Sequence, residues 1–221
     1  MSTAQRVAAV IAAGLLGLAS LTACDPIDDL TTQPSAAPAL TDGPPGDGVV
    51  TAELDALAVG TWAPMTGYSR NRFEHWVSQG HSCDTRDVVL KRDGVGVTVG
   101  DGCKITAGTW VSVYDGKTFT NPTDLDIDHV VPLANAWRTG AATWTDEQRS
   151  AFANDLTRPQ LIAVSASSNR SKGDQDPSQW KPPQQDYWCA YAQSWITVKS
   201  YWHLSVTTDE KSALADMLGT C

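Results

Sequence analysis

The stretch DLDIDHVVPLANAW, residues 124–137, sets Asp124, Asp126 and Asp128 at alternate positions and follows them at once with His129. On an extended chain alternate side chains share a face, so Asp126 and Asp128 lie on one side of the strand expected here. Further on, Asn154 falls in FAND, and Asn169, Arg170 and Lys172 fall in SSNRSKGD. A strand ending in Asp-His, a second strand, and then a helix presenting Asn can hold a hard divalent cation between one carboxylate and one amide oxygen. Such a cation keeps several coordination positions for water and phosphate oxygens. His129, left free of the metal, can then act as general base on a water while the cation stabilises charge building on a scissile phosphate. The other three histidines have plainer readings: His75 on a polar helix face, His81 in a loop, and His203 at a helix C-terminus, where a partly charged imidazole suits the dipole.

The elements that must position these residues can be read from periodicity and caps. Apolar residues at Leu54, Leu57 and Ala58 predict a short amphipathic helix over 51–59. Phe73, Trp76 and Val77 predict another over 68–77. From Asp87 onward VVLKR, GVGVTV, KITAGTWVSVY and KTFT are β-rich runs broken by Gly-containing turns, which predicts a small antiparallel meander. IDHVVPL continues as a strand that Pro132 stops. Residues 134–139 are expected to be helical, and Thr145 with Gln148 forms a capping box for a helix through TDEQRSAFAN. LIAV, residues 161–164, reads as a short buried strand, with Ser165 capping a helix that ends at Gly173. Trp188, Tyr191, Trp195, Val198 and Trp202 recur at helical spacing, and Thr207 with Glu210 makes a second capping box before a last helix. The expected class is α+β, with the aromatic stripe as core and not a platform for bases.

Together D-H-V-V-P-L, N-D and N-R-x-K-G-D resemble the HNH, or ββα-metal, endonuclease motif with Asn in its third position. The similarity is greatest to secreted bacterial HNH proteins related to the C-terminal domain of GmrSD restriction endonucleases. It extends to Y-S-R-x-x-F at Tyr68–Phe73, C-D-T-R at Cys83–Arg86, W-x-P-P from Trp180 and C-A-Y from Cys189, and so covers nearly all of 60–221. The resemblance implies a ββα-metal core with a helical insertion, motif residues 124–183, beside the meander and a disulfide-linked C-terminal helical hairpin. It implies that Asp128 and Asn169 bind the metal, that His129 is the base, and that Asn154 orients the loop behind the histidine. Lys172, one helical turn after Asn169, and Arg170 would meet substrate phosphate. Arg86 is either a further phosphate contact or an ion-pair partner of Asp84 or Asp87. Asp126 either orients a water or His129, or is simply surface. Asp174 and Asp176 are expected to cap the turn after Gly173. Zinc sites of this type carry a third histidine where Asn169 stands, so a single Mg²⁺ or Mn²⁺ is expected.

The first residues bear on compartment. A short polar start with Arg6, an apolar run and LTAC make a signal peptide over 1–23 that resembles those of bacterial lipoproteins, with Cys24 as the lipidated thiol. A disordered linker is expected over 24–48, rich in Pro, Thr, Ala, Gly and Asp, and a single folded domain over 49–221. Apart from Cys24 the chain has Cys83, Cys103, Cys189 and Cys221. An even set in an exported chain reads as two disulfides, and the local pairing, Cys83 with Cys103 and Cys189 with Cys221, is the expected one. Helices that run antiparallel would bring Cys189 and Cys221 together. The net charge of −9 argues against a protein that holds long tracts of nucleic acid, since that needs a basic surface. The expectation is a monomeric extracytoplasmic nuclease acting on nucleic acid, DNA foremost, either lipid-anchored to the outer face of the bacterial cell membrane and touching it only through its N-terminal lipid, or secreted from an ordinary signal in which Cys24 is incidental. Two alternatives keep the same residues: a non-catalytic cell-surface binding lipoprotein on the HNH scaffold, and a metallohydrolase of another phosphoester.

Overall fold

A computed structural model describes residues 47–221. The expected signal peptide, Cys24 and the linker as far as residue 46 lie outside the described residues. The first helix, α1 (Asp47–Ala56), begins inside the span expected to be linker. Its buried stripe is Val50, Leu54 and Leu57, spaced four and three apart, so the apolar face starts earlier than the sequence suggested.

The span 68–77 is not a helix. It holds only a 3-10 turn at Arg70–Arg72, capped by the Ser69 side chain. The chain then runs on to β1 (Ser78–Gly80) and β2 (Cys83–Asp84), a small antiparallel pair. The cause is tertiary. The Asn154 side chain donates to the Glu74 carbonyl at 2.7 Å and accepts from Val77 N at 3.2 Å, and Trp76 between them has φ +49°, which a right-handed helix excludes.

VVLKR is likewise helical, not a strand, within α2 (Thr85–Asp93). Asp84 and Asp87 form a capping box that satisfies the free N–H groups at its start, and Val89 and Leu90 are buried on its inner face. At Gly94, where α2 ends, a Cβ would stand 2.5 Å from the Trp110 ring nitrogen, so only glycine admits this indole, whose N–H donates to the Leu90 carbonyl. The meander is therefore three strands, β3 (Val95–Val99), β4 (Ile105–Val111) and β5 (Thr118–Phe119), paired antiparallel in that order.

Next come β6 (Leu125–His129), α3 (Leu133–Thr139), α4 (Asp146–Ala153), β7 (Leu161–Ser165) and α5 (Ala166–Lys172). β6 and β7 pair antiparallel without irregularity, from Leu125 opposite Ser165 to His129 opposite Leu161. α4 carries the expected Thr145–Gln148 capping box. α5 starts at its Ser165 cap and stops at Gly173 (φ +54°). One face of the β6–β7 pair, with Leu125, Ile127, Leu161 and Ala163, packs against Val89, Leu90, Ile105 and Trp110. The other turns Asp126 and Asp128 toward α5.

The chain closes with α6 (Trp188–Tyr201) and α7 (Thr208–Leu218), the latter with its Thr207–Glu210 capping box. Both expected disulfides are present, Cys83–Cys103 and Cys189–Cys221, with Cα separations of 4.9 and 5.1 Å. Each stabilises the fold by about 3–4 kcal/mol on the chain-entropy account. Phe73, Tyr114, Trp137, Phe152, Tyr191 and Trp195 belong to the larger core, and none of the nine tryptophans is exposed. Inside it Lys199 and Glu210 form an ion pair at 2.5 Å with neither side chain exposed. The Trp195 N–H donates to Glu210 at 2.6 Å. The Trp195 ring also lies 5.6 Å from the Lys199 ammonium and 6.0 Å from that of Lys172. Among the described residues no helix is long and apolar enough to cross a membrane.

Candidate active site

The end of β6 sends its side chains to two sides, and each meets different chemistry. On the α5 side Asp128 is buried. The Lys172 ammonium donates to both of its oxygens, at 2.9 and 2.8 Å, and to the His129 carbonyl at 2.9 Å. The Tyr114 hydroxyl donates to Oδ2 at 2.6 Å. Burial acts on both members of the pair, raising the Asp128 pKa and lowering that of Lys172. Three hydrogen bonds to one carboxylate, two of them from an ammonium, favour the charged pair. Lys172, expected at a substrate phosphate, therefore has no surface with which to meet one. At three residues past Asn169 it occupies the face of α5 that packs on β6, and spacing alone does not tell that face from the solvent side.

On the other side the His129 imidazole is also buried. Its Nε2 lies 2.9 Å from the Ala153 carbonyl. A carbonyl only accepts, so Nε2 carries the proton and Nδ1 remains an acceptor. Burial lowers the pKa to about 3, partly opposed by the Ala153 hydrogen bond, so the ring is neutral at neutral pH. Trp76 stacks on it, centroids 5.5 Å apart and planes 12° from parallel, and His75 stands edge-on at 6.2 Å. Asn154, at the C-cap of α4, directly follows the Ala153 that bonds His129, and its own side chain makes no hydrogen bond to the histidine. Besides gripping Glu74 and Val77, its Oδ1 accepts from the Thr85 hydroxyl at 2.7 Å.

A cleft of about 200 Å³ opens where these two sides meet. It is lined by Asp128, His129, Asn169, Arg170, and also by Arg70 and Asp174. Asn169 Nδ2 donates to Asp126 at 3.2 Å, and the exposed Arg170 leans on the same carboxylate at 3.4 Å. Arg70 is exposed and its side chain has no ion pair or hydrogen bond among the described residues. Arg86 does not come to the cleft. Its Nη2 donates to the Pro122 and Leu125 carbonyls at 2.9 Å each, while Asp84 and Asp87 are spent on the cap of α2, so neither expected role of Arg86 is seen. Asp176 accepts from Ser178 N at 2.8 Å, in a turn a little beyond Gly173, whereas Asp174, expected to cap with it, lines the cleft.

The sequence model described as GmrSD restriction endonucleases, C-terminal domain, matches residues 86–217, from α2 through most of α7. The chain belongs to this GmrSD C-terminal domain family. A protein of Arthroderma benhamiae named "Uncharacterized secreted protein" is 56% identical over 168 residues, covering 76% of this chain and 82% of its own. That relative is fungal, so the likeness is not confined to bacteria. No solved structure matches the chain.

In this GmrSD-family chain the cleft oxygens suit a hard cation. Asn169 spends its amide nitrogen on Asp126, which leaves Oδ1 for a ligand, and a carboxylate with two donors on one oxygen keeps further lone pairs. Among the described residues no cluster of three or more His, Cys, Asp or Glu side chains could hold a metal, so a cation bound here would complete its shell with water, as magnesium sites do. Four contributors were missed in the sequence: Tyr114, Trp76, Arg70 and Asp174. Arg70 had a signal, since it lies in the Y-S-R-x-x-F stretch. Tyr114 had none, because nothing local to it marks a partner fourteen residues later.

Proposed function

We propose that the chain is a metal-dependent endonuclease hydrolysing phosphodiester bonds of nucleic acid, DNA foremost, outside the cytoplasm. The observation that carries this is geometric: His129, its Nε2 held on the Ala153 carbonyl and its Nδ1 left as an acceptor, lines one cleft with Asp128 and Asn169. Family membership supports the nuclease class, and the name of the fungal relative supports an extracytoplasmic site. Asp128 and Asn169 would hold one Mg²⁺ or Mn²⁺, which when bound supplies charge stabilisation on the phosphate and acidifies the attacking water. His129 would serve as the general base, with Nδ1 the atom free to accept a proton from water. Arg70 and Arg170, which both line the cleft, would hold the phosphate oxygens in place of Lys172. Lys172 instead fixes the Asp128 carboxylate and the His129 carbonyl together. A bacterial origin, lipid anchorage through Cys24 and a monomeric state complete the proposal.

The test is cleavage of supercoiled plasmid and of single-stranded RNA by purified, disulfide-intact protein with and without Mg²⁺ or Mn²⁺. Metal-dependent cleavage that His129→Ala abolishes is expected. A folded sample that cuts neither polymer would overturn the proposal. One observation favours the alternative of a binding protein on the same scaffold: Lys172 already neutralises Asp128. The same assay separates the two.

A further inference from the structure

We propose that Trp76 is a positioning residue for the hydrolysis, its indole the wall that sets the plane of the His129 imidazole. The inference rests on the nuclease proposal above and adds to it a part supplied from outside the family match, which begins at residue 86.

The Nε2 hydrogen bond to Ala153 fixes one atom of the ring but leaves the ring free to swing about that contact, which would shift Nδ1, the atom left to accept a proton. The indole removes that freedom, lying 12° from parallel at 5.5 Å. This is not the general manner of aromatic packing in the molecule. The next most parallel ring pair among the described residues, Trp144 with Trp202, meets at 39°. His75 packs edge-on against Trp76 at 5.3 Å and holds its own ring by an Nδ1 donation to the Phe73 carbonyl at 2.7 Å.

The backbone is held in a costly conformation to achieve this. Trp76 has φ +49°, sparsely populated for a bulky residue and worth of order 1–3 kcal/mol of strain, which persists only where the surroundings over-determine it. Here they do. Asn154 grips the chain on both sides of Trp76, at the Glu74 carbonyl and Val77 N. Thr85, with no exposure, ties Asn154 in turn, and its N–H donates to the Val77 carbonyl at 3.1 Å. The polar contacts of Asn154 thus end in the placement of an indole, and through it of the base.

The experiment uses full-length, disulfide-intact protein and supercoiled plasmid with Mg²⁺, comparing wild type with Trp76→Ala and Trp76→Phe. A misplaced base costs roughly a hundredfold, so Trp76→Ala is expected to lose about that factor in kcat with KM unchanged, and Trp76→Phe to recover most of it. A second readout is independent of turnover. The carbon-bound protons of the His129 ring, followed by NMR, lie upfield under the indole and move downfield in Trp76→Ala. Wild-type kcat in Trp76→Ala would overturn the proposal, as would equal losses in both variants or an unmoved His129 resonance. A wild type that cuts nothing defeats the nuclease proposal itself and this role with it, whereas an active wild type matched by Trp76→Ala defeats this role alone.

Discussion

Asp128 and Lys172 are buried together, and removing one partner strands the other charge in a medium that does not solvate it. Lys172→Met is therefore expected to lower stability by about 3–5 kcal/mol, the cost of breaking a buried pair, and Asp128→Asn in the same chain to restore part of it; urea unfolding of the single and double variants checks both. His129 gives a pH dependence whose sign follows from its pKa of about 3 in the fold against 6.5 unfolded. Below pH 6.5 the unfolded chain takes up a proton that the native state refuses. Stability is present in full above that pH and is lost on acidification, by up to about 1.4 kcal/mol per pH unit, down to about pH 3. Urea midpoints in EDTA across pH 7 to 4 should fall less steeply for His129→Leu than for wild type.

Elements whose ends carry their own signals were legible in the sequence, and those set by distant partners were not. The Thr145–Gln148 and Thr207–Glu210 boxes, the Ser165 cap and Gly173 fixed α4, α7 and α5 from residues within a turn of each end. The β6–β7 pairing followed from two short apolar runs and the helical insertion between them. The 68–77 span reads as a helix by periodicity alone, but its conformation is dictated by a side chain 77 residues further on. VVLKR is composed like a strand, and only the Asp84–Asp87 box upstream marks a helix start. Within the site, which residues reach the cleft was readable for Asp128, His129, Asn169 and Arg170. Burial of Lys172 was not, since a lysine on a short polar helix gives no sign of which side is covered. The role of Asn154 gives an element-level prediction. Asn154→Ala removes four hydrogen bonds at once, so amide exchange should speed up across 74–77, with loss of cleavage but intact protection in α6 and α7.

At the scale of the molecule, the proposed nuclease carries a net charge of −9 and two arginines at its cleft, so its contact with nucleic acid would be local. Each phosphate neutralised on B-DNA contributes about −0.9 to the slope of log affinity against log salt. Binding of a duplex oligonucleotide by the His129→Ala protein should thus show a slope near −2, and Arg70→Gln should reduce it by about one unit; a slope several times steeper would mean a far larger basic footprint. The C-terminal hairpin is also joined to the cleft in a way that bears on how the protein fails. Trp195 is shared between the Lys199–Glu210 pair and Lys172, which holds Asp128 in turn. Opening the hairpin would wet two buried ammonium groups and release the carboxylate beside His129. Heat, reduction of Cys189–Cys221 or a proteolytic nick should therefore end activity and fold in one step, leaving no half-melted form that still cuts.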